Sequence, residues 1–327
     1  MFIAFTARAC CTALVAALGF ASLAQAGESP YPNRPIRLLV PFAPGGGSDA
    51  LARIFSPKLS NAMGQTWVVD NRTGAGGNVA AEMVARANPD GHTVFLGLNT
   101  IQTVNPILYK LPFNMEKDLR PVTMLATNDH ILVVHPSLPA KTLKEFVSLA
   151  KQKPGALNYA SAGVGSSLHL AMELLNKRVG IEMVHVAYKG GGPAATAVLA
   201  GQPQVMLGTI SSTNPHIAAG RLRALANTAA KRAKVLPDLP TVAESGYPGF
   251  EFIAWFALFV PGSTPQPIVE RIRTESLKAL QDPDVQSAMA RQGLDPESST
   301  PVELAARVRS ETAMWATVIK EAGIRLE

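Results

Sequence analysis

Cysteine is almost missing from this chain: two occur in 327 residues, side by side at Cys10 and Cys11. Both fall in an apolar leader, so the remainder has no disulfide, no thiolate nucleophile and no cysteine metal site. Charge is scarce as well, at 17% of residues against 47% hydrophobic, a balance that excludes a disordered chain. Glycine and proline, at 26 and 25 residues, are too few for a collagen-like one. Catalytic and nucleotide signatures are absent. No GxGxxG occurs, no Gly-Lys-Ser/Thr follows a glycine loop, no serine sits in GxSxG and no histidine pair is spaced as HExxH. The histidines (His92, His130, His135, His169, His185, His216) show no ligand spacing, so neither a metal nor a cofactor is expected.

Met1 to Ala26 holds one charge, Arg8, then an apolar run through Leu14, Val15, Leu18, Phe20 and Leu23, closing on Ala24-Gln25-Ala26. This reads as a cleavable secretory signal over residues 1–26. An uncleaved anchor is the alternative, but a bilayer span needs ~20 continuous apolar residues, and this run is broken by Thr12, Gly19, Ser22 and Gln25. The formal charge of +6 becomes +5 once Arg8 is removed. Its basic residues are scattered, and the densest run, Arg221 to Lys234, carries no interleaved aromatics. That reads as a solvated face and not as a nucleic-acid surface.

Short β-branched runs then alternate with amphipathic ones. Ile36–Val40, Trp67–Val69 and Thr93–Leu96 read as strands, with a helix capped by Ser48 and ending near Gly64, and another over Gly77–Arg86. Val122–Ala126 and Ile131–Val134 read as two strands split by the polar tetrad Thr127–His130. A second series follows: helices over Thr142–Lys151, Ser167–Arg178 and Pro193–Ala200, and strands at Leu157–Ala160, Met183–Ala187, Val205, Leu222 and Phe252–Val260. From Pro265 the pattern is nearly all helical. This inventory predicts two α/β lobes, with chain crossings at Thr127–His130 and near Pro248. The tail, lacking a sheet of its own, is assigned to the first lobe. The expected division is 27–127 plus 250–327 for lobe 1 and 128–249 for lobe 2.

One pattern occurs in each half. Leu39-Val40 leads through Pro41-Phe42-Ala43-Pro44-Gly45-Gly46-Gly47-Ser48-Asp49 into a helix, and Asn158-Tyr159-Ala160 leads through Ser161-Ala162-Gly163-Val164-Gly165-Ser166-Ser167 into another. A strand, a Gly/Ser loop and a helix N-terminus place free N–H groups and the positive end of a helix dipole at the carboxyl edge of a sheet. Gly74–Asn78 and Lys189–Pro193 repeat it. Any single loop is explained by capping and turning alone; two in matching positions point to one anion between them. Ser166 and His169, three apart, form a conceivable nucleophile pair, though capping already explains the serine. Asp49 reads either as dipole-complementing charge or as an ammonium partner, Asn99 and Thr100 as cleft lining or a turn, and Trp255 and Phe256 as core.

These segments resemble the Bug receptors, the substrate-binding subunits of tripartite tricarboxylate transporters. The resemblance rests on Pro32-x-Arg34-Pro35-Ile36, Val40–Asp49, Asn71-Arg72-x-Gly74–Asn78, Ala87-x-Pro89–Thr93, Tyr159–Gly163-x-Gly165-Ser166, Tyr188–Ala194, Leu236–Thr241 and Trp255–Pro261. It implies a two-lobed periplasmic binding protein, type II-like, with a mostly parallel sheet flanked by helices in each lobe and two crossover segments. It further implies a non-enzymatic monomer without a cofactor. Such a protein closes on a small mono- or dicarboxylate and delivers it to membrane permease subunits. Carried over, first-lobe contacts would come from Ala43, Gly45, Ser48 and Asp49 with Ala75, Gly76 and Asn99. Second-lobe contacts would come from Ser161, Gly163, Gly165, Ser166 and Ser167, with Tyr188 and Lys189 at the border. Family members often carry an acidic residue after the strand at Val205–Leu207, where this chain reads Gly208-Thr209-Ile210-Ser211-Ser212; that favours a ligand without an amino group. A sensing receptor using the same cleft, and an exported serine hydrolase using Ser166 and His169, remain as alternatives.

Overall fold

The computed structural model describes residues 31–322; the leader read at 1–26 lies outside them. The first half runs β1 (Ile36–Val40), α1 (Gly47–Met63), β2 (Trp67–Asn71), α2 (Asn78–Ala85) and β3 (Thr93–Leu98). In β1 only Arg37 emerges, to meet Asp70 at 2.7 Å; its neighbours are buried. Burial on both faces is what a strand inside a covered parallel sheet requires, and β1 pairs in parallel with β2 and β3. Short helices α3 (Asn99–Thr103), α4 (Asn105–Leu108) and α5 (Met115–Asp118) lead into β4 (Leu119–Val134).

The second half comprises α6 (Leu143–Gln152), β5 (Asn158–Ser161), α7 (Ser167–Val179), β6 (Val184–Ala187), α8 (Gly191–Leu199), β7 (Val205–Thr209), α9 (Ile210–Ala218) and β8 (Arg223–Asn227). The chain returns through β9 (Ile253–Pro261) and ends with α10 (Gln266–Gln281), α11 (Pro283–Arg291), β10 (Leu294–Pro296) and α12 (Pro301–Ala322).

The polar tetrad does not break the chain into two strands: β4 is continuous over 16 residues. Burial keeps a two-residue period through it, with Asn128 and His130 inside and Thr127 and Asp129 half-buried. Two of its side chains are held across the chain, Asn128 Nδ2 donating to the Gly293 carbonyl at 3.2 Å and Asp129 accepting from Asn227 Nδ2 at 3.2 Å. Residues Leu119 to Asp129 pair with β9, and His130 to Val134 pair with β7. One sheet therefore runs β2-β1-β3-β9-β4 with β10 on β4, and the other runs β4-β7-β5-β6 with β8 on β4. Each has a parallel core of three strands; the strands next to β4 are antiparallel, because β9 and β7 both run against the strand the two sheets share.

Trp255, Phe95 and Phe259 are fully buried about the first sheet. A second cluster gathers Leu132, Phe146, Tyr159 and Leu175, joined by Phe252, Trp315 and Ile319. Helix α12 thus packs on β4 and α3 while its last turns reach the second cluster. The indole of Trp255 donates to Glu311 Oε1 at 2.9 Å, and Arg307 bonds Glu311 and Glu297, fixing that helix over the first sheet.

Candidate functional site

Ser48 does not cap α1: Gly46 occupies that position and Ser48 lies in the first turn. No side chain caps the helix; instead Asp49, in its first turn, reaches back to the loop, its Oδ2 accepting from the Gly45 N–H at 3.1 Å and from Arg53 Nε at 3.0 Å. Its Oδ1 accepts from Asn71 Nδ2 at 3.2 Å, and the same amide donates to the Phe42 carbonyl at 2.8 Å. Burial alone would raise the pKa of Asp49; the bonds from Arg53, Gly45 and Asn71 outweigh it and hold the carboxyl below its usual range. Asp49 is thus committed to shaping the loop ahead of α1.

The second loop has its own brace. Ser161 Oγ accepts from the Gly163 N–H at 3.0 Å and lies 2.6 Å from His185 Nε2. The His185 ring stacks on His169 with centroids 4.2 Å apart. His169 Nδ1 accepts from the Gly165 N–H at 3.3 Å, and Ser166 caps α7 by accepting the His169 N–H. Burial, with the neighbouring His185, lowers the His169 pKa to about 3, so the ring stays neutral and remains an acceptor. The His169 Nδ1 acceptor faces Gly165 and the Ser166 oxygen serves the helix cap; the pair is not assembled as nucleophile and base.

Between the loops lies a cavity of about 20 Å³, room for roughly one water. N-terminal residues of α1, α7, α8 and α9 line it, namely Gly46, Gly47 and Ser48, Ser167 and Leu168, Gly191, and the N-cap Thr209. These helices are 17, 13, 9 and 9 residues long, each long enough to present a positive dipole end. Phe42, Leu98, Phe256 and Ala254 form apolar walls, and His130 closes the floor with its Nε2 3.1 Å from Ser167 Oγ. Among the described residues, no lysine, arginine or carboxylate lines the cavity. Ser48, on the cavity wall, is 4% exposed.

The loops of the two sheets touch directly. The Ala43 N–H donates to the Lys189 carbonyl at 2.9 Å, and Tyr109 donates to the Val164 carbonyl at 2.7 Å. A Cβ on Gly192 would stand 2.5 Å from the Pro44 carbonyl oxygen, so only glycine allows this approach.

Of the residues expected at the site, Ser48 and Ser167 reach the cavity wall. Ala43, Gly45 and Asp49 build the first loop behind it; Ser161, Gly163, Gly165 and Ser166 build the second. Ala75 and Gly76 are off the cavity wall, with Gly76 packed against the second loop, where a Cβ would meet the Val164 carbonyl. Asn99 is buried beside the wall residue Leu98, its amide 3.4 Å from the Ile253 carbonyl. Tyr188 bonds the Ser161 carbonyl through its backbone, and exposed Lys189 offers only its own carbonyl. His130, Thr209 and the apolar walls are what the sequence reading missed. Phe256 carries the same signal as any core residue of an apolar strand, and His130 sat in what looked like a break.

Two α/β sheets sharing a strand, with an uncharged cavity ringed by helix N-termini between their loops, define a solute-binding protein of the periplasmic type, which performs no chemistry on its ligand. The chain belongs to the tripartite tricarboxylate transporter family receptors, whose profile matches residues 51–324. It is 34% identical to Protein BugT of Bordetella pertussis over 299 residues, 91% of this chain and 92% of that one. Among solved structures it resembles R. palustris Rpa4515 with adipate, at 35% identity and a TM-score of 0.87 over 90% of this chain and 99% of that chain. It also resembles MatC (Rpa3494) from Rhodopseudomonas palustris with bound malate, at 35% identity and a TM-score of 0.84 over 88% and 100%.

Proposed function

We propose that this protein is an exported periplasmic receptor that captures a small mono- or dicarboxylate between the Gly45–Ser48 and Gly163–Ser167 loops and hands it to a membrane permease. The observation that carries this reading is the cavity itself: it is ringed by the N-terminal residues of four helices, has Ser48 and Ser167 on its wall, and among the described residues is lined by no lysine, arginine or carboxylate. Each terminus contributes ~0.3–1 kcal/mol to an exposed anion and up to ~2 when partly buried. Together with hydroxyl and N–H donors they can hold a carboxylate without an arginine. The adipate and malate held by the two relatives support a carboxylate as the ligand class. No described helix is long and apolar enough to cross a membrane, which fits a receptor that works beside a permease.

A cavity of about 20 Å³ is far smaller than such a ligand, so entry requires the loops to part. The parting units are proposed as 27–127 with 250–327 and 128–249, moving about Asn128–His130 and the segment before Ile253. Ligand contacts across the cleft then favour the closed form. Thermal unfolding against acetate, benzoate, succinate, malate, adipate and citrate tests the reading, since a ligand bound only to the folded state raises the midpoint with concentration. Stabilisation by at least one carboxylate, and by none of a matched set of neutral sugars and amides, is expected. Indifference to all of the carboxylates overturns it.

A further inference from the structure

His130 is the one titratable side chain on the cavity wall among the described residues. It is fully buried at the point where β4 passes from one sheet to the other. Its environment is uncharged on every side. Ser167 of α7 meets Nε2, Thr209 of β7 is its register partner, and Thr228, just after β8, accepts its backbone N–H at 3.1 Å. The Phe252 ring lies edge-on at 5.4 Å. On its own strand Asp129 turns to the other face and is bonded by Asn227, while Asn128 holds Gly293. Two residues beyond Ser167, His169 is itself neutral. An anion that accepts a hydrogen bond of ~2.7 Å from the Ser167 hydroxyl lies within about 6 Å of His130 Nε2, which stands 3.1 Å from that oxygen.

We propose that His130 takes up a proton as the carboxylate is captured, so that the bound state holds an imidazolium–carboxylate pair in a site otherwise without charged side chains. The inference rests on the proposed function. In the anion-free cavity burial lowers the His130 pKa to about 4, against a weaker opposing pull from the Asn128 carbonyl, so the ring is neutral there at ordinary pH. An opposite charge within ~4–6 Å favours the protonated ring and raises its pKa on binding. Over the interval between free and bound values, affinity rises as pH falls, by up to tenfold per pH unit. The helix termini fix where the anion sits; His130 makes its capture sensitive to the acidity of the surroundings.

The test is titration calorimetry with whichever carboxylate of the panel stabilises the protein most, between about pH 5.5 and 7.5, in buffers of different ionisation heat, with the ligand's own protonation subtracted. The expected result is proton uptake on binding near pH 6 and a dissociation constant several-fold lower at the acid end. In His130→Gln both effects vanish. The ring C2–H signal of His130 in the wild-type protein, followed with and without ligand, gives the same answer should that variant fail to fold: its midpoint must move up on binding. Binding without proton uptake, a pH profile that survives in His130→Gln, or a His130 midpoint unmoved by ligand overturns the inference and leaves the receptor reading standing. Absence of binding by every carboxylate removes the receptor reading itself.

Discussion

The phenol of Tyr109 donates a 2.7 Å hydrogen bond to the carbonyl of Val164, tying the end of α4 on the first sheet to the loop that precedes α7 on the second. Burial raises the Tyr109 pKa, so the phenol remains a donor throughout the physiological range. Beside it a Cβ on Gly165 would fall 2.7 Å from Asn105 Oδ1, so the second loop presses close against the α4 segment. This contact exists only when the loops are together. Removing it with Tyr109→Phe costs the closed form ~0.5–1.5 kcal/mol, which predicts carboxylate binding about two- to tenfold weaker. The thermal midpoint without ligand should move little, because an opened Val164 carbonyl can bond water. Calorimetric affinities of the two proteins decide it; equal values would mean the bond is not part of closure.

Asp49→Asn addresses the brace behind α1. The carboxylate accepts from Gly45, Arg53 and Asn71 with its side chain 6% exposed, while Arg53 itself is 57% exposed. Hydrogen bonds to a charged group contribute more than neutral ones, so an amide in its place should lower stability by about 1–2 kcal/mol near neutral pH. The folded-state pKa of Asp49 is depressed, so its contribution is fully present above the unfolded value and is lost as pH falls through the folded one. Denaturant unfolding of both proteins should therefore differ at pH 7 and converge in strong acid, below the ordinary carboxylate pKa of about 3.9.

The strands leading into Gly/Ser loops were readable because their chemistry is local: β-branched runs, then glycines, then an amphipathic helix. Ser166 and Thr142 cap the helices they were expected to cap, or begin. What stayed hidden depended on partners far along the chain. The tetrad Thr127–His130 looked like an interruption because four polar residues rarely sit inside a strand, yet Asn227 bonds the Asp129 carboxylate, the Gly293 carbonyl takes the Asn128 amide and Thr228 takes the His130 backbone N–H. Helix α9 was missed because its first turn, Ile210-Ser211-Ser212-Thr213, has weak helix propensity and Pro215 follows. In the fold Ser212 and Thr213 bond back to the Thr209 carbonyl, which anchors that turn. Leu98 and Phe256 carry no sequence mark that separates a cavity wall from a core.

Gly192→Ala separates closure from folding. Gly192 has ordinary helical backbone in the first turn of α8, where alanine is favoured over glycine by up to ~1 kcal/mol. The added methyl meets no obstacle on its own side of the cleft, but in the closed form it stands 2.5 Å from the Pro44 oxygen and 3.3 Å from the Gly45 Cα, both backbone atoms that cannot swing aside. The expected outcome is a protein as stable as the parent, with affinity for the stabilising carboxylate lower by tenfold or more. Small-angle scattering should show no compaction on adding ligand. Unaltered affinity would show that capture does not need the Pro44–Gly192 approach.

His169 supplies the acid limit of the second loop. Its pKa is lowered to about 3 by burial and by the stacked His185, whereas an unfolded chain takes up the proton near the ordinary value of about 6.5. Between those values the unfolded state binds more protons, so folding stability falls as pH drops below about 6.5 and levels off only near the folded pKa. Across that window the loss reaches a few kcal/mol, and His130 adds to it with its own lowered value of about 4. His169→Asn keeps an acceptor near the position of Nδ1 for the Gly165 N–H but cannot be protonated. It should therefore flatten the acid side of the stability profile while keeping the loop formed at neutral pH. Denaturant midpoints for the two proteins at about pH 7 and about pH 4.5 measure this directly. If both lose the same stability on acidification, the neutral His169–Gly165 bond is not what acid attacks, and His130 or the carboxylates must account for the limb.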